Sequence, residues 1–192
     1  MIVGAVVLAA GRSTRMPGPS KLVADLDGRA VVVHVVAAVA AAGLPRPIVV
    51  VGDRADAVRA ALAGYGVEFV DAPDYADGLS ASLRAGIAAV PDDWSAVLVL
   101  LGDMPRVHAA TLVALAKVAT ATTIAVPVHA GQRGNPVLWG AAYFAELREL
   151  AGDVGGKVLL ARHADHVVEV AVDDEGVLID VDTTAALAAL RS

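Results

Sequence analysis

The residues best equipped for chemistry cluster at two points along the chain. Arg12, Arg15 and Lys21 fall within ten residues that hold no acidic group, just after the apolar run Ile2–Leu8. Ala9, Ala10 and Gly11 stand between the run and the cations. Small side chains let a ligand approach the backbone, and successive N–H groups can line an anion nest. Arginine forks onto phosphate oxygens, and lysine adds a point charge. These are the parts needed to hold a polyphosphate. The phosphate-loop pattern G-x-x-x-x-G-K-[ST] does not fit, since six residues separate Gly11 from Gly18 and Leu22 follows Lys21. The dinucleotide pattern G-x-G-x-x-G is missing as well. A solvated basic loop is the plainer alternative.

The second point is Leu100-Leu101-Gly102-Asp103-Met104-Pro105. Asp103 follows a second apolar run, Gly102 permits a tight turn, and Pro105 prevents the strand from continuing. Hard cations take oxygen ligands, and Mg²⁺ commonly takes one or two carboxylates plus substrate phosphates. A turn-forming aspartate would look the same. Near the C-terminus, Asp180 and Asp182 stand two residues apart, which on an extended chain puts them on one side. Asp182 or Thr183 could equally cap the helix that follows. Gly78, Ser80 and Ser82 open another helix, with Ser80 a plausible N-cap, and N–H groups at such a terminus also bind anions. Asp71 ends a strand, where it could contact a nucleotide or only shape its turn.

Elements that alternate strand and helix must position these groups. Strands are expected at Ile2–Leu8, Ile48–Val51, Val67–Val70, Ala96–Leu101, Thr123–Val126, Pro136–Trp139, Val167–Val170 and Val177–Val181. Continuous apolar runs of this length suit parallel strands buried on both faces. Helices are expected over Val31–Ala42, Arg54–Ala63, Leu79–Val90, Ala109–Val118, Ala141–Leu150, Gly156–Arg162 and Thr183–Leu190, several closed by Gly or Pro. The pattern predicts a three-layer, doubly wound α/β fold with a mainly parallel sheet. Ligands in such sheets bind beyond the C-terminal strand ends, where strand order reverses. No repeat or composition break divides the 192 residues, so a single domain over 1–192 is expected.

Composition narrows the classes. The chain is 57 % hydrophobic but only 4 % aromatic, so its core is built from small aliphatics. The net charge of −6, with basic residues mostly scattered, disfavours a nucleic-acid backbone as partner. The longest apolar stretch, Ala30–Leu44, is interrupted by His34 and falls short of the roughly 18–20 residues of a membrane span. With no cysteine there is neither a disulfide framework nor a thiolate metal site. The N-terminus lacks a signal-peptide pattern, and a cytoplasmic protein is expected. His163 and His166 have helical spacing without a third ligand and read as a surface pair. Trp139 and Phe144 read as core.

Leu8–Lys21 resembles the signature loop of the molybdenum-cofactor nucleotidyltransferases and their relatives, which include sugar-phosphate nucleotidyltransferases. The resemblance implies a Rossmann-like nucleotidyltransferase fold and a triphosphate wrapped by Leu8, Ala9, Ala10, Gly11, Arg12 and Ser13, with Arg15 and Lys21 on its phosphates. Leu-Gly-Asp-Met-Pro resembles the family's metal motif, which makes Asp103 a ligand of catalytic Mg²⁺. Asp180-Val181-Asp182-Thr183 resembles its second acidic motif, making Asp182 the second ligand, although Thr184-Ala185-Ala186 replaces the family's Pro-Glu-Asp. Gly78, Ser80 and Ser82 match a segment beside the nucleotide. Arg133, Gly134 and Asn135 match a segment on the acceptor side. Gly152-Asp153-Val154-Gly155-Gly156-Lys157 matches a following one, giving Asp153 and Lys157 acceptor roles, with Lys157 in place of the usual Arg.

Ala-Ala-Gly resembles the cytidylyl form of the family loop and implies CTP. The motif set implies transfer of CMP to the molybdenum-cofactor phosphate, for a molybdenum hydroxylase as recipient. Two rivals stay open. One is an enzyme of the same fold with another phosphorylated acceptor, such as a sugar phosphate or a phospholactate. The other is a non-catalytic chaperone of the cofactor, favoured by the altered acidic motif.

Overall fold

The computed structural model describes residues 1–11, 20–152 and 155–191. Arg12, Ser13, Arg15 and Asp153 lie outside the described residues. In chain order the elements are β1 (Ile2–Ala9), the short pair β2 (Asp25–Leu26) and β3 (Arg29–Ala30), α1 (Val31–Ala41), β4 (Ile48–Val51), α2 (Ala55–Ala61), β5 (Glu68–Asp71), α3 (Leu79–Ala88), β6 (Trp94–Leu101), α4 (Ala109–Lys117), β7 (Ile124–His129), β8 (Gln132–Arg133), β9 (Val137–Gly140), α5 (Phe144–Arg148), α6 (Lys157–Arg162), β10 (Val167–Ala171) and α7 (Thr184–Ala189).

The main sheet runs β10-β7-β9-β6-β1-β4-β5, with β8 paired to β7. β1 lies parallel to both β4 and β6, with Ala9 opposite Val51 and Leu8 opposite Leu101. The chain moves outward from β1 through β4 and β5, then returns to start β6 on the other side. Strand order therefore reverses at β1, the place where open α/β sheets bind ligands. β9 is antiparallel to β6 and β7.

The period-two alternation of β1 divides the core. Ala5, Val7 and Ala9 pack with Val32, Val35 and Val36 of α1, Val58 of α2, and Leu112 and Leu115 of α4. Val6, Leu8 and Ala10 face the other layer, with Leu83 and Ile87 of α3, Leu147 of α5 and Leu159 of α6. Three layers result, as the sequence predicts. Each fully buried leucine or isoleucine here contributes roughly 1.5–3 kcal/mol relative to exposure. A third cluster, Leu26, Val31, Val181 and Leu187, ties the C-terminal segment to the β2–β3 hairpin. Among the described residues, no helix is long and apolar enough to cross a membrane.

Three expectations need correction. Val177–Val181 forms no strand: Glu175–Leu178 is a 3-10 turn and the chain beyond it is extended but unpaired with any strand. Its backbone bonds go elsewhere, with Val177 O accepting from Asn135 N at 2.9 Å and Val181 N donating to Asp103 O at 2.8 Å. Ser80 is not the N-cap of α3, because the helix already starts at Leu79, after Gly78. Ala141–Leu150 breaks into a 3-10 turn, Ala141–Tyr143, followed by the short α5.

Candidate active site

The C-terminal ends of β1 and β6 carry the first residues of the site. Gly102 N donates to Leu8 O at 2.9 Å, locking the turn after β6 onto β1. A Cβ on Gly102 would stand 2.9 Å from that same oxygen, so the turn requires glycine. Asp103 follows at once. Lys21 reaches the same spot from a 3-10 turn, Lys21–Val23, whose preceding residue Ser20 accepts from Leu22 N at 3.4 Å. Buried Leu22 anchors this turn in the core. Asp182 arrives from the opposite end of the chain, one residue before Thr183, which caps α7 by accepting from Ala186 N at 3.0 Å. The capping role thus falls to Thr183, and the Asp182 carboxylate points elsewhere.

Lys21 Nζ donates to Asp103 Oδ2 at 2.5 Å and to Asp182 Oδ1 at 2.7 Å. Burial alone would lower the pKa of this ammonium, but the charges and hydrogen bonds of Asp103 and Asp182 outweigh it and hold the pKa above the usual lysine value. Asp103, Asp180 and Asp182 each offer one carboxylate oxygen, and these oxygens lie within 4.8 Å of one another. Burial, followed by the like charges of Asp182 and Asp103, pushes the Asp180 carboxyl above the usual carboxylate range. Hard oxygen donors this close, two of which already accept a cationic group, fit a divalent ion of the Mg²⁺ class. Among the described residues, no other group of three or more His, Asp or Glu side chains could hold a metal.

Two cavities flank this cluster. One, of ≈ 490 Å³, is lined by Leu8, Ala10, Gly11, Lys21, Gly78, Ser82, Asp103 and Asp182, along with Tyr75. The other, also ≈ 490 Å³, is walled by Leu83, Met104, Val126, Trp139, Leu160 and Val177 and bears Arg133, Gly134, Asn135, Lys157 and Asp180. Leu8, Leu79 and Leu101 line both. Of the expected residues, Gly11, Lys21, Gly78 and Ser82 thus line one space and Arg133, Gly134, Asn135 and Lys157 an adjoining one.

Some of the expected residues stand apart. The side chain of Ala9 packs into the core on the α1 face. Asp71 lines neither cavity and pairs with Arg59 at 2.7 Å. Its own carboxylate is 71 % exposed. Ser80 is fully buried, and its hydroxyl donates to Gly152 O. Arg133 pairs with Glu169 at 2.6 Å at the rim of the second cavity. His163 Nε2 faces Glu146 at 2.9 Å and His166 Nδ1 faces the Tyr143 hydroxyl at 3.2 Å.

Sequence reasoning missed Tyr75, which lies so close to Gly52 that a Cβ there would come within 2.7 Å of the tyrosine. The missing side chain at Gly52 was its available signal, but pairing the two residues needs the fold. Trp139 is both core and wall, being 1 % exposed yet lining the second cavity.

Known proteins share this fold. A nucleotidyl transferase from Methanothermobacter thermautotroptrophicus is 28 % identical, with a TM-score of 0.87 over 99 % of this chain and 96 % of that one. Rv0371c from Mycobacterium tuberculosis H37Rv is 34 % identical, with a TM-score of 0.87 over 98 % and 97 % of the two chains. Its complex with manganese superposes with a TM-score of 0.83 over 99 % and 98 %. The bifunctional protein GlmU of Sphingopyxis alaskensis is 36 % identical over 140 residues, or 72 % of this chain, which spans 31 % of that relative's length. The model of the MobA-like NTP transferase domain matches residues 5–167. By this match, which covers both strands at the switch point and most of the two cavities, the chain belongs to the MobA-like NTP transferase family.

Proposed function

We propose that the protein, acting as a single cytoplasmic domain, is a nucleotidyltransferase that moves CMP from CTP to the phosphate of the molybdenum cofactor and releases pyrophosphate. The observation that carries this reading is the convergence of Lys21, Asp103 and Asp182 between two adjoining cavities. The triphosphate belongs in the cavity of Ala10, Gly11 and Lys21, and the acceptor in that of Arg133, Asn135 and Lys157. An oxygen of the acceptor phosphate attacks the α-phosphorus of CTP. The new P–O bond forms as the α–β anhydride breaks, and its electron pair leaves with pyrophosphate. The attacking monoester is already largely ionised at neutral pH, so no strong general base is required, and rate comes from positioning and charge neutralisation.

Asp103 and Asp182 would hold Mg²⁺, with Asp180 beside them; that similar Rv0371c forms a complex with manganese supports a divalent ion here. When bound, the ion supplies charge neutralisation for the α-phosphate and the incoming oxygen. With those carboxylates on the ion, the Lys21 ammonium would be available to the phosphates, alongside Arg15. Arg133 and Lys157 orient the acceptor phosphate. A molybdenum hydroxylase would receive the product.

Pyrophosphate release should be measured from each of the four ribonucleoside triphosphates, with Mg²⁺, in the presence and absence of molybdenum cofactor. Release from CTP that requires the cofactor is the expected result. Release with a sugar phosphate or phospholactate instead would move the acceptor assignment. Tight CTP binding indifferent to Mg²⁺, without release, would make the protein a cofactor-binding chaperone.

A further inference from the structure

One buried charged group has no part in the chemistry above. Asp174 is 3 % exposed, and its carboxylate is satisfied by three donors from two separate segments. Oδ2 accepts from His108 N at 2.8 Å and from the Thr111 hydroxyl at 2.6 Å, both at the start of α4. Oδ1 accepts from Gly176 N at 3.0 Å, within its own 3-10 turn. The His108 side chain supplies no cap to α4, so Asp174 caps that helix from a distant part of the sequence.

The two segments it joins are those that carry the acidic cluster. Asp103 leads through Pro105 and Arg106 into α4, and Asp174 leads through its turn to Asp180 and Asp182. The segments touch at two further places. A Cβ on Gly176 would stand 2.0 Å from Arg106 O, so the chains approach as closely as backbone permits. Val181 N donates to Asp103 O at 2.8 Å. A buried carboxylate, a glycine contact and a backbone bond thus lie in sequence along one seam that ends at the cluster.

We propose that Asp174 is a positioning residue for the cation site, fixing the α4 segment against the C-terminal segment so that Asp103 and Asp182 meet one ion. This rests on the reading of Asp103 and Asp182 as metal ligands. Asp174 never touches the ion or the substrates. It acts on metal affinity because a small slip along the seam changes the separation of oxygens that must converge. Replacing one carboxylate oxygen by an amide NH₂ sets a donor against donors and lets the seam slip, while the side-chain shape stays the same.

The test is Mn²⁺ binding to the full chain, read by the electron-spin resonance of free Mn²⁺, beside the thermal midpoint of each variant. Asp174→Asn should raise the Mn²⁺ dissociation constant about tenfold, the scale typical of residues that orient metal ligands. A folded Asp174→Asn that binds Mn²⁺ like the wild type, whatever its thermal midpoint, overturns the proposal. If Asp174→Asn does not fold, Thr111→Val removes a single donor to the same carboxylate. Weakened Mn²⁺ binding by Thr111→Val then supports the proposal, and unchanged binding overturns it. Asp103→Ala is the control, and undiminished Mn²⁺ binding there would overturn the metal assignment itself, and this inference with it.

Discussion

Two cavities of equal size, ≈ 490 Å³ each, meet at Leu8, Leu79 and Leu101, and different charged groups stand on their walls. One gathers small residues, an ammonium and two carboxylates at the reversal of strand order. The other is mostly Leu, Val, Met and Trp, with Arg133 and Lys157 the cations on its wall. They also differ in origin. The first sits at the C-terminal ends of β1 and β6, which pair in parallel with Leu8 opposite Leu101. The second opens where antiparallel β9 enters between β6 and β7 and brings Trp139 to its wall. The parallel part of the sheet thus supplies the charged centre, and the antiparallel insertion supplies a shaped apolar wall.

Substitutions can break this division or sharpen it. Asp103→Ala should have the largest effect, lowering turnover by at least about 10²–10³-fold with little change in thermal midpoint. Near-normal turnover would show that the charged cavity is not where chemistry occurs. Lys21→Met should lower kcat by about 10²-fold, yet let the protein bind Mn²⁺ more tightly without nucleotide, because a competing cation has left the two carboxylates. Tighter binding of Mn²⁺ would be absent if the ammonium and the ion occupied different places.

Lys157→Ala should raise KM for the acceptor about tenfold, a loss of about 1.4 kcal/mol, and leave KM for CTP unchanged. Equal changes in both constants would mean that the cavities are not separate sites. The smallest effect should come from Asp180→Asn without metal. The carboxyl pKa of Asp180 is raised on folding, so its ionisation favours the unfolded chain as pH rises through the folded value. The asparagine variant should therefore be slightly more stable than wild type at neutral pH. That gain should vanish below the ordinary carboxylate range, and thermal midpoints measured across pH would check it. A lower midpoint at neutral pH would mean that the carboxylate makes a stabilising contact.

The charged side was largely legible in the sequence. Ile2–Leu8, Ile48–Val51 and Ala96–Leu101 are continuous apolar runs because strands buried on both faces cannot alternate. Gly102 and Asp103 stand out because a turn and a charge follow such a run at once. The seam to the C-terminus was not legible. Val177, Ile179 and Val181 alternate as a strand would, but Val177 O and Val181 N bond to Asn135 and Asp103, pairings that only the fold creates. Ser80 misled for the opposite reason: serine suits both a cap and a buried hydroxyl, and the carbonyl of Gly152, a distant neighbour, decided between them. Asp174 was invisible for want of any local pattern, and the signal for Tyr75 lay at distant Gly52.

The wall shared by Leu8, Leu79 and Leu101 has a consequence for turnover. On the proposed reaction, a product made by joining the contents of both cavities lies across that wall and keeps the grip of each side. It departs only when both grips loosen together, so its escape is slower than that of pyrophosphate and competes with the entry of either new substrate.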